Sequence, residues 1–302
     1  MLCAAIDIGS NTTRILVAEP VEGQLKKVME QRAYTRIGQA RLEDGTIPEA
    51  KIREVTDVVE TQVRLAREVG AEGFRAVATA ALRDAPNGKE AAAAIGAAAG
   101  VEVHVVSENE EGRLAFLGAT KSLGYKAEGR VAVVDVGGGS TEITIGSVAG
   151  GVEQVRSWPI GSGQLAQELI SSDPPSAAEI RRVRDRVDET FTGVSISRPE
   201  QAVAVGGSAT SLRRIAGNRL EYETLERSIR VLSGEVSVEV GRQFELDPVR
   251  VRMLPTGVLI LEKVSELLGS ELQIGKGGIR EGIVLDMLNS GTEVSGALPA
   301  AG

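Results

Sequence analysis

Asp135-Val136-Gly137-Gly138-Gly139-Ser140-Thr141-Glu142 follows the apolar run Val131-Ala132-Val133-Val134. Four apolar residues ahead of a glycine cluster read as a buried strand delivering a tight turn. An acid stands at the strand end, and the three glycines let backbone N–H groups approach an anion with no Cβ in the way. Two hydroxyls and a second acid come next. Gly137, Gly138, Gly139, Ser140 and Thr141 are therefore candidates for phosphate oxygens. Asp135 and Glu142 are candidates for a divalent cation such as Mg²⁺, which favours carboxylate oxygens and retains waters. A plain glycine-rich turn is the competing reading.

The same arrangement stands near the start, in Ala4-Ala5-Ile6-Asp7-Ile8-Gly9-Ser10-Asn11-Thr12. Asp7 is again a carboxylate at a strand end, and so a third candidate metal ligand. Gly9, Ser10, Asn11 and Thr12 offer backbone donors and short polar side chains to a phosphate, with an ordinary hairpin turn as the alternative. Asp7 and Asp135 are 128 positions apart (135 minus 7). The pattern predicts strands at 3–8, 12–19 and 25–34, a helix over 48–69, a strand at 74–79, a helix over 88–99, a strand at 101–106 and a helix over 107–122. From residue 130 onward it predicts strands at 130–135, 140–147 and 151–158, helices over 161–170 and 176–191, a strand at 201–205 and a helix over 208–216. A mostly helical stretch over 221–268, broken near Pro248 and Pro255, precedes a short strand at 272–274 and a helix over 279–288. The expectation is a duplicated α/β unit with a cleft between the copies, divided at the polar turn 124–129.

At 302 residues the chain is long for one core, so two domains are expected, and 42% hydrophobic content suffices to pack them. A formal net charge of −8 disfavours a broad nucleic-acid footprint, while a local basic cleft remains compatible with a small polyanion. One cysteine, Cys3, excludes an intramolecular disulfide and points to a reducing cytoplasm, with a buried inert thiol in the first strand. One histidine, His104, excludes a His–His metal centre and alternates with valines as a strand residue. No apolar run approaches 18 residues and no charged segment precedes an apolar one, so neither a membrane span nor a signal peptide is expected.

Four further strings carry chemistry. Gly206-Gly207-Ser208-Ala209-Thr210 puts a glycine pair and a hydroxyl at a helix start, where free N–H groups favour an anion. Lys276-Gly277-Gly278-Ile279-Arg280-Glu281-Gly282 sets a glycine pair between two cations, with a spacing that is not Walker A. Ser107-Glu108-Asn109-Glu110 has capping-box form, which accounts for Glu110 and leaves Glu111 to point elsewhere. Adjacent carboxylates suit a general base, and dipole-favoured acids in a first helical turn are the alternative. Arg83, in Ala81-Leu82-Arg83-Asp84, would grip a phosphate bidentately or sit as a surface arginine.

Together these strings resemble the exopolyphosphatase / guanosine pentaphosphate phosphohydrolase (Ppx/GppA) family, within the actin-like ATPase superfold. Segments 5–12, 78–85, 107–114, 134–142, 206–210 and 278–282 occur in family order and span nearly the whole chain. The resemblance implies two duplicated actin-like ATPase (ribonuclease H-like) domains with the site in the interdomain cleft. The first would hold residues 1–124 with the last helix, about 279–290, packing back on it. The second would hold 125–278, and 291–302 would form a flexible tail. The resemblance implies a catalytic role for Glu111, with Asp135 and Glu142 acting with Mg²⁺ or Mn²⁺ or activating water. It also implies that Ser10, Asn11, Arg83, the Gly137, Gly138 and Gly139 turn, Gly207, Ser208 and Arg280 surround phosphate. Many members continue into a helical domain of HD type, whose metal ligands one histidine could not furnish, so the chain resembles the short two-domain form. Gly275-Lys276 stands where a Ser with a polar or acidic neighbour is common, so Lys276 would add a cation near the substrate.

The expected activity is Mg²⁺-dependent hydrolysis of the terminal phosphoanhydride of linear inorganic polyphosphate, with Glu111 as general base and Arg83 stabilising charge. A homodimer is expected by family analogy alone, and no nucleic acid or membrane partner. One alternative is removal of the 5′ γ-phosphate of guanosine pentaphosphate, another a kinase of the same superfold. A third is a non-enzymatic polyphosphate- or alarmone-binding regulator, against which the presence of Glu111 and Asp135 speaks.

Overall fold

The computed structural model of the protein describes residues 1–290 apart from Lys126; the expected tail at 291–302 lies outside the described residues. Two compact units are present, Met1–Ser122 with the described residues from Gly277 onward, and Leu123–Lys276. Among the described residues no helix is long and apolar enough to cross a membrane.

The first unit runs β1 (Cys3–Ile8), β2 (Thr13–Val21), β3 (Gln24–Ala33), α1 (Glu49–Glu68), β4 (Gly73–Ala78), α2 (Ala80–Arg83), α3 (Gly88–Ala99), β5 (Val103–Val105) and α4 (Glu108–Lys121). Its sheet has the order β3-β2-β1-β4-β5, with an antiparallel β1-β2-β3 meander and parallel β1-β4 and β4-β5 pairs. Strand β1 is covered on both faces. Ala4, Ile6 and Ile8 pack with Val55, Val59 and Val63 of α1 and Ile95 of α3, while Cys3 and Ala5 pack on the opposite side with Leu114. A strand buried on two faces must be apolar almost throughout. Asp7 is the exception, and it stands next to the strand's end.

The second unit runs β6 (Val131–Val136), β7 (Thr141–Ser147), β8 (Gly151–Trp158), α5 (Ser162–Leu169), α6 (Ala177–Thr190), β9 (Gln201–Val205), α7 (Gly206–Ala216), β10 (Arg219–Leu220), α8 (Tyr222–Gly234), α9 (Ser237–Phe244), α10 (Pro248–Val251), α11 (Leu254–Leu268) and β11 (Leu272–Ile274). Its sheet has the order β10-β11-β9-β6-β7-β8, which is the first sheet's order with one short edge strand added. The register repeats as well. Asp7 pairs Arg14 and Val77, and Asp135 pairs Glu142 and Val205. One offset of 128 positions relates all three (135 minus 7, 142 minus 14, 205 minus 77). The duplicated α/β topology expected from the sequence is present.

A last helix, α12 (Ile279–Asn289), belongs to the first unit and packs Ile283, Val284 and Met287 over the Cys3 and Ala5 face. Its contact with α4 is backbone on backbone. A Cβ at Gly118 would lie 1.9 Å from the Gly278 carbonyl oxygen, and one at Gly282 would lie 1.9 Å from that of Leu114. A Cβ at Gly277 would lie 2.4 Å from the Gly118 carbonyl oxygen. The glycines of the Lys276-to-Gly282 string therefore serve a helix seam, where the sequence reading placed a possible phosphate loop.

Three elements have no counterpart in the sequence reading: a 3-10 turn at Ile37–Ala40, the single turn α2, and β10. Each is too short to leave a periodic pattern. Pro255 and Pro248 sit in the first turns of their helices, where a missing N–H costs nothing. His104 lies in β5, and Cys3 is fully buried, its thiol pushed up by burial.

Candidate active site

Each unit ends its first strand in the same hairpin turn. The Gly9 N–H donates to the Thr12 carbonyl at 3.0 Å, and the Gly137 N–H to the Ser140 carbonyl at 2.9 Å. A Cβ on either glycine would meet that carbonyl oxygen at 3.2 or 3.1 Å. Presentation of the Gly137 N–H to a ligand is thus corrected: the turn itself uses it. The next carbonyls are docked on the segment after the third strand. Ser10 accepts from the Gly38 N–H at 2.9 Å and Asn11 from the Arg36 N–H at 3.0 Å. In the second unit the Gly137 carbonyl accepts from the Ser162 N–H at 2.9 Å and the Ser162 hydroxyl at 3.1 Å, and Gly138 from the Gln164 N–H at 2.9 Å.

A trans peptide points its C=O and N–H in opposite directions. Carbonyls docked on α5 therefore turn the N–H groups of Gly138 and Gly139 to the other side, and the first turn does the same with Asn11 and Thr12. Among the described residues no backbone acceptor takes the Gly138 or Gly139 N–H. Successive N–H groups on one side make a concave donor pair suited to a phosphate oxygen. Gly161 allows the docking, since a Cβ there would lie 2.3 Å from the Gly139 nitrogen.

Asp135 and Glu142 are directly opposite on antiparallel strands and share a face. Asp135 Oδ1 rests at the start of α7, where a Cβ on Gly206 would lie 2.1 Å from it and where Gly206 has φ +80°. The Gly206-Gly207 string thus seats the protein's own carboxylate at a helix N-terminus, which favours an anion. Glu142 is buried, and its Oε1 accepts from the Ser157 hydroxyl at 2.9 Å. The two carboxylates suit Mg²⁺ or Mn²⁺. Among the described residues no three acid, His or Cys side chains cluster as a ready-made metal site, so phosphate oxygens and waters would complete the shell, the usual situation for Mg²⁺. Asp7 does not fit a metal in the same way. Its cross-strand partner is Arg14, and burial pushes its carboxyl up from the ordinary value while Arg14 and Arg280 oppose that. Two guanidinium charges beside it repel a divalent cation.

Glu111 and Arg83 meet. Arg83 Nη1 donates to Glu111 Oε2 at 2.6 Å, with the side chains only 16% and 13% exposed. The first comes from α2 and the second from the first turn of α4. Ser107 caps α4, its hydroxyl accepting from the Glu110 N–H at 3.2 Å. The reciprocal half of the expected capping box is absent, because the Glu110 carboxylate takes two 2.8 Å hydrogen bonds from Arg113. The two adjacent acids are thus each paired with a different arginine.

The remaining candidates divide. The Thr141 hydroxyl donates to the Ile160 carbonyl at 2.6 Å and the Ser208 hydroxyl to Ser162 Oγ at 3.2 Å, both buried. Ser140 is buried too, and Thr12 Oγ1 accepts from Arg14 Nε at 3.0 Å. These bonded hydroxyls hold the turns in shape, and for Thr141 and Ser208 direct contact with phosphate gives way to that role. Gly207 lies in the first turn of α7. Arg280, 11% exposed, pairs with Glu30 Oε1 at 2.6 Å and reaches the Ile15 carbonyl at 3.5 Å. Lys276 is exposed at the end of the second unit. Gly161 and Ser162 escaped the sequence reading. Their signal was present as Ile160-Gly161-Ser162, a small pair between a strand and a helical pattern.

A model of the Ppx/GppA phosphatase family matches residues 16–291. Exopolyphosphatase 1 of Mycobacterium tuberculosis is 29% identical over 96% of this chain and 89% of its own length. The guanosine-5′-triphosphate,3′-diphosphate pyrophosphatase of Aeromonas hydrophila is 25% identical over 96% of this chain and 60% of its own length. The crystal structure of the Aquifex aeolicus Ppx/GppA family member superposes with a TM-score of 0.80 at 29% identity, covering 97% of this chain and 99% of that one.

Proposed function

We propose that this chain, which belongs to the Ppx/GppA phosphatase family, hydrolyses the terminal phosphoanhydride of linear inorganic polyphosphate and releases orthophosphate. The observation that carries the reading is the second hairpin. It combines the Gly138 and Gly139 N–H donors with the Asp135–Glu142 carboxylate pair, so one turn serves phosphate oxygens and a divalent cation.

In this reading Glu111, held by Arg83, orients a water and takes its proton as the water oxygen bonds to the terminal phosphorus in line with the leaving group. The bridging P–O bond breaks and the shortened chain leaves. Arg83 stabilises charge on the equatorial oxygens, where phosphoryl transfer draws most of its catalysis. A Mg²⁺ or Mn²⁺ held by Asp135 and Glu142 would neutralise phosphate charge. Removal of the γ-phosphate from guanosine pentaphosphate is the second reading, favoured by the name of the Aeromonas relative. Polyphosphate is preferred because the mycobacterial exopolyphosphatase is matched over 89% of its length and the Aeromonas protein over 60%. A cytoplasmic setting, consistent with one buried cysteine, and a homodimer complete the proposal.

The test is phosphate release from polyphosphates of several lengths, guanosine pentaphosphate and ATP, with and without Mg²⁺. Release from polyphosphate only when Mg²⁺ is present is expected. Glu111→Gln should cut turnover on the order of 10²-fold or more while substrate binding is retained. Near-normal turnover in that variant would remove Glu111 from the mechanism.

A further inference from the structure

Arg83 reaches Glu111 from α2, a helix of four residues, Ala80–Arg83. A single turn has little cooperative stability of its own: the Ala80 carbonyl accepts from the Asp84 N–H at 3.0 Å and that of Leu82 from the Ala85 N–H at 3.3 Å, while among the described residues no backbone donor reaches that of Ala81. Its position must come from outside. The Thr79 N–H donates to the Ile8 carbonyl at 3.2 Å ahead of it. Gly88 closes against it from α3, where a Cβ would lie 1.7 Å from the Leu82 carbonyl oxygen. The third hold is Arg41, whose Nη2 donates to the Ala80 carbonyl at 3.0 Å and the Ala81 carbonyl at 2.5 Å. Ala81 is fully buried, so this cation supplies a bond that water does not.

Arg41 follows the 3-10 turn Ile37–Ala40 directly. The same short segment docks the first hairpin, through the Arg36 N–H on Asn11 and the Gly38 N–H on Ser10. It therefore grips the hairpin at one end and α2 at the other. Arg41 Nε is buried without a hydrogen-bond partner, an uncommon cost for a guanidinium that served only the surface.

We propose that Arg41 is a positioning residue, which fixes the helical turn that brings Arg83 to Glu111. This rests on the reading of Arg83 and Glu111 as the pair that handles the reacting phosphoryl group. Lysine keeps the charge but lacks the rigid fork that spans two carbonyls.

The experiment is a double-mutant cycle read as kcat and KM for phosphate release from polyphosphate, in the full chain, with Arg41→Ala, Arg83→Ala and the double variant. Arg41→Ala should lower kcat roughly 10-fold when Arg83 is present and less than about 2-fold when Arg83 is already alanine, because coupled residues do not act additively. Arg41→Lys should recover part of the loss. Equal losses in both backgrounds, as a general loss of folded enzyme would produce, overturn the inference, and so does an unchanged kcat in Arg41→Ala. Should Arg41→Ala not fold, the cycle with Arg41→Lys decides on the same criterion, with a smaller loss. If Arg83→Ala alone retains wild-type kcat, the phosphoryl-handling reading of Arg83 fails, and the positioning role falls with it.

Discussion

Gly206 is bound by two constraints at once. Its φ of +80° lies in the left-handed region, and the space where a side chain would go is filled by Asp135 Oδ1. Alanine would incur left-handed strain of roughly 1 kcal/mol and would push the carboxylate off the start of α7. Gly206→Ala should therefore lose about 10-fold or more in phosphate release while thermal unfolding shifts by only a few degrees. Parallel melts and activity assays check this, and full activity with an intact fold would deny Asp135 its seat. The same residue type acts differently elsewhere. Gly9 and Gly137 close hairpins through their own N–H groups, and Gly118, Gly277 and Gly282 bring two backbones together.

At the scale of elements, α12 is held by a glycine seam and by ion pairs, those of Asp286 among them. The Asp286 carboxylate accepts from Arg113 Nη2 at 2.8 Å and from Arg75 Nη1. Burial on its own would raise its pKa, but the hydrogen bonds and charges of Arg113 and Arg75 outweigh burial and hold the carboxyl below the usual carboxylate range. A folded-state value below the unfolded one stabilises fully above the unfolded pKa, about 4, and that stabilisation is lost as pH falls through the lower folded value. Asp286→Asn should lower stability by roughly 1–2 kcal/mol at pH 7. It should also flatten the fall of Tm below about pH 4 relative to the wild type. Melts between pH 3 and 7 measure both, and equally steep acid limbs would rule the ion pair out as a support of α12.

For the whole molecule, the two units are built differently along the chain. The second is one continuous stretch, Leu123–Lys276, while the first depends on α12 returning after it. Ile283, Val284 and Met287 are buried on the first sheet, and each contributes roughly 1.5–3 kcal/mol, together a large share of a domain's net stability. Residues 123–276 expressed alone should unfold cooperatively. A chain ending at Lys276 should lose the cooperative melt of the first unit and become protease-sensitive over residues 1–122. Circular dichroism and limited proteolysis report both, and a truncated chain with a native first-unit melt would contradict the dependence on α12.

Neighbouring residues alone were enough to reveal the doubled meander, the helices α1, α3, α4 and α6, and the two acid-glycine hairpins. Periods of 2 and 3.6 and turn chemistry are written within a few positions of one another. Short pieces such as α2 left no such trace, and Arg41 passed unnoticed with it. Long-range packing alone decided which glycine strings are hairpins, which seats a carboxylate and which is a helix seam. It also decided that Glu111 meets Arg83, 28 positions away. Asp7 and Asp135 have the same local sequence setting, yet one faces Arg14 and the other Glu142. Charge and burial act through space, so a carboxylate's role follows from what the fold sets opposite it.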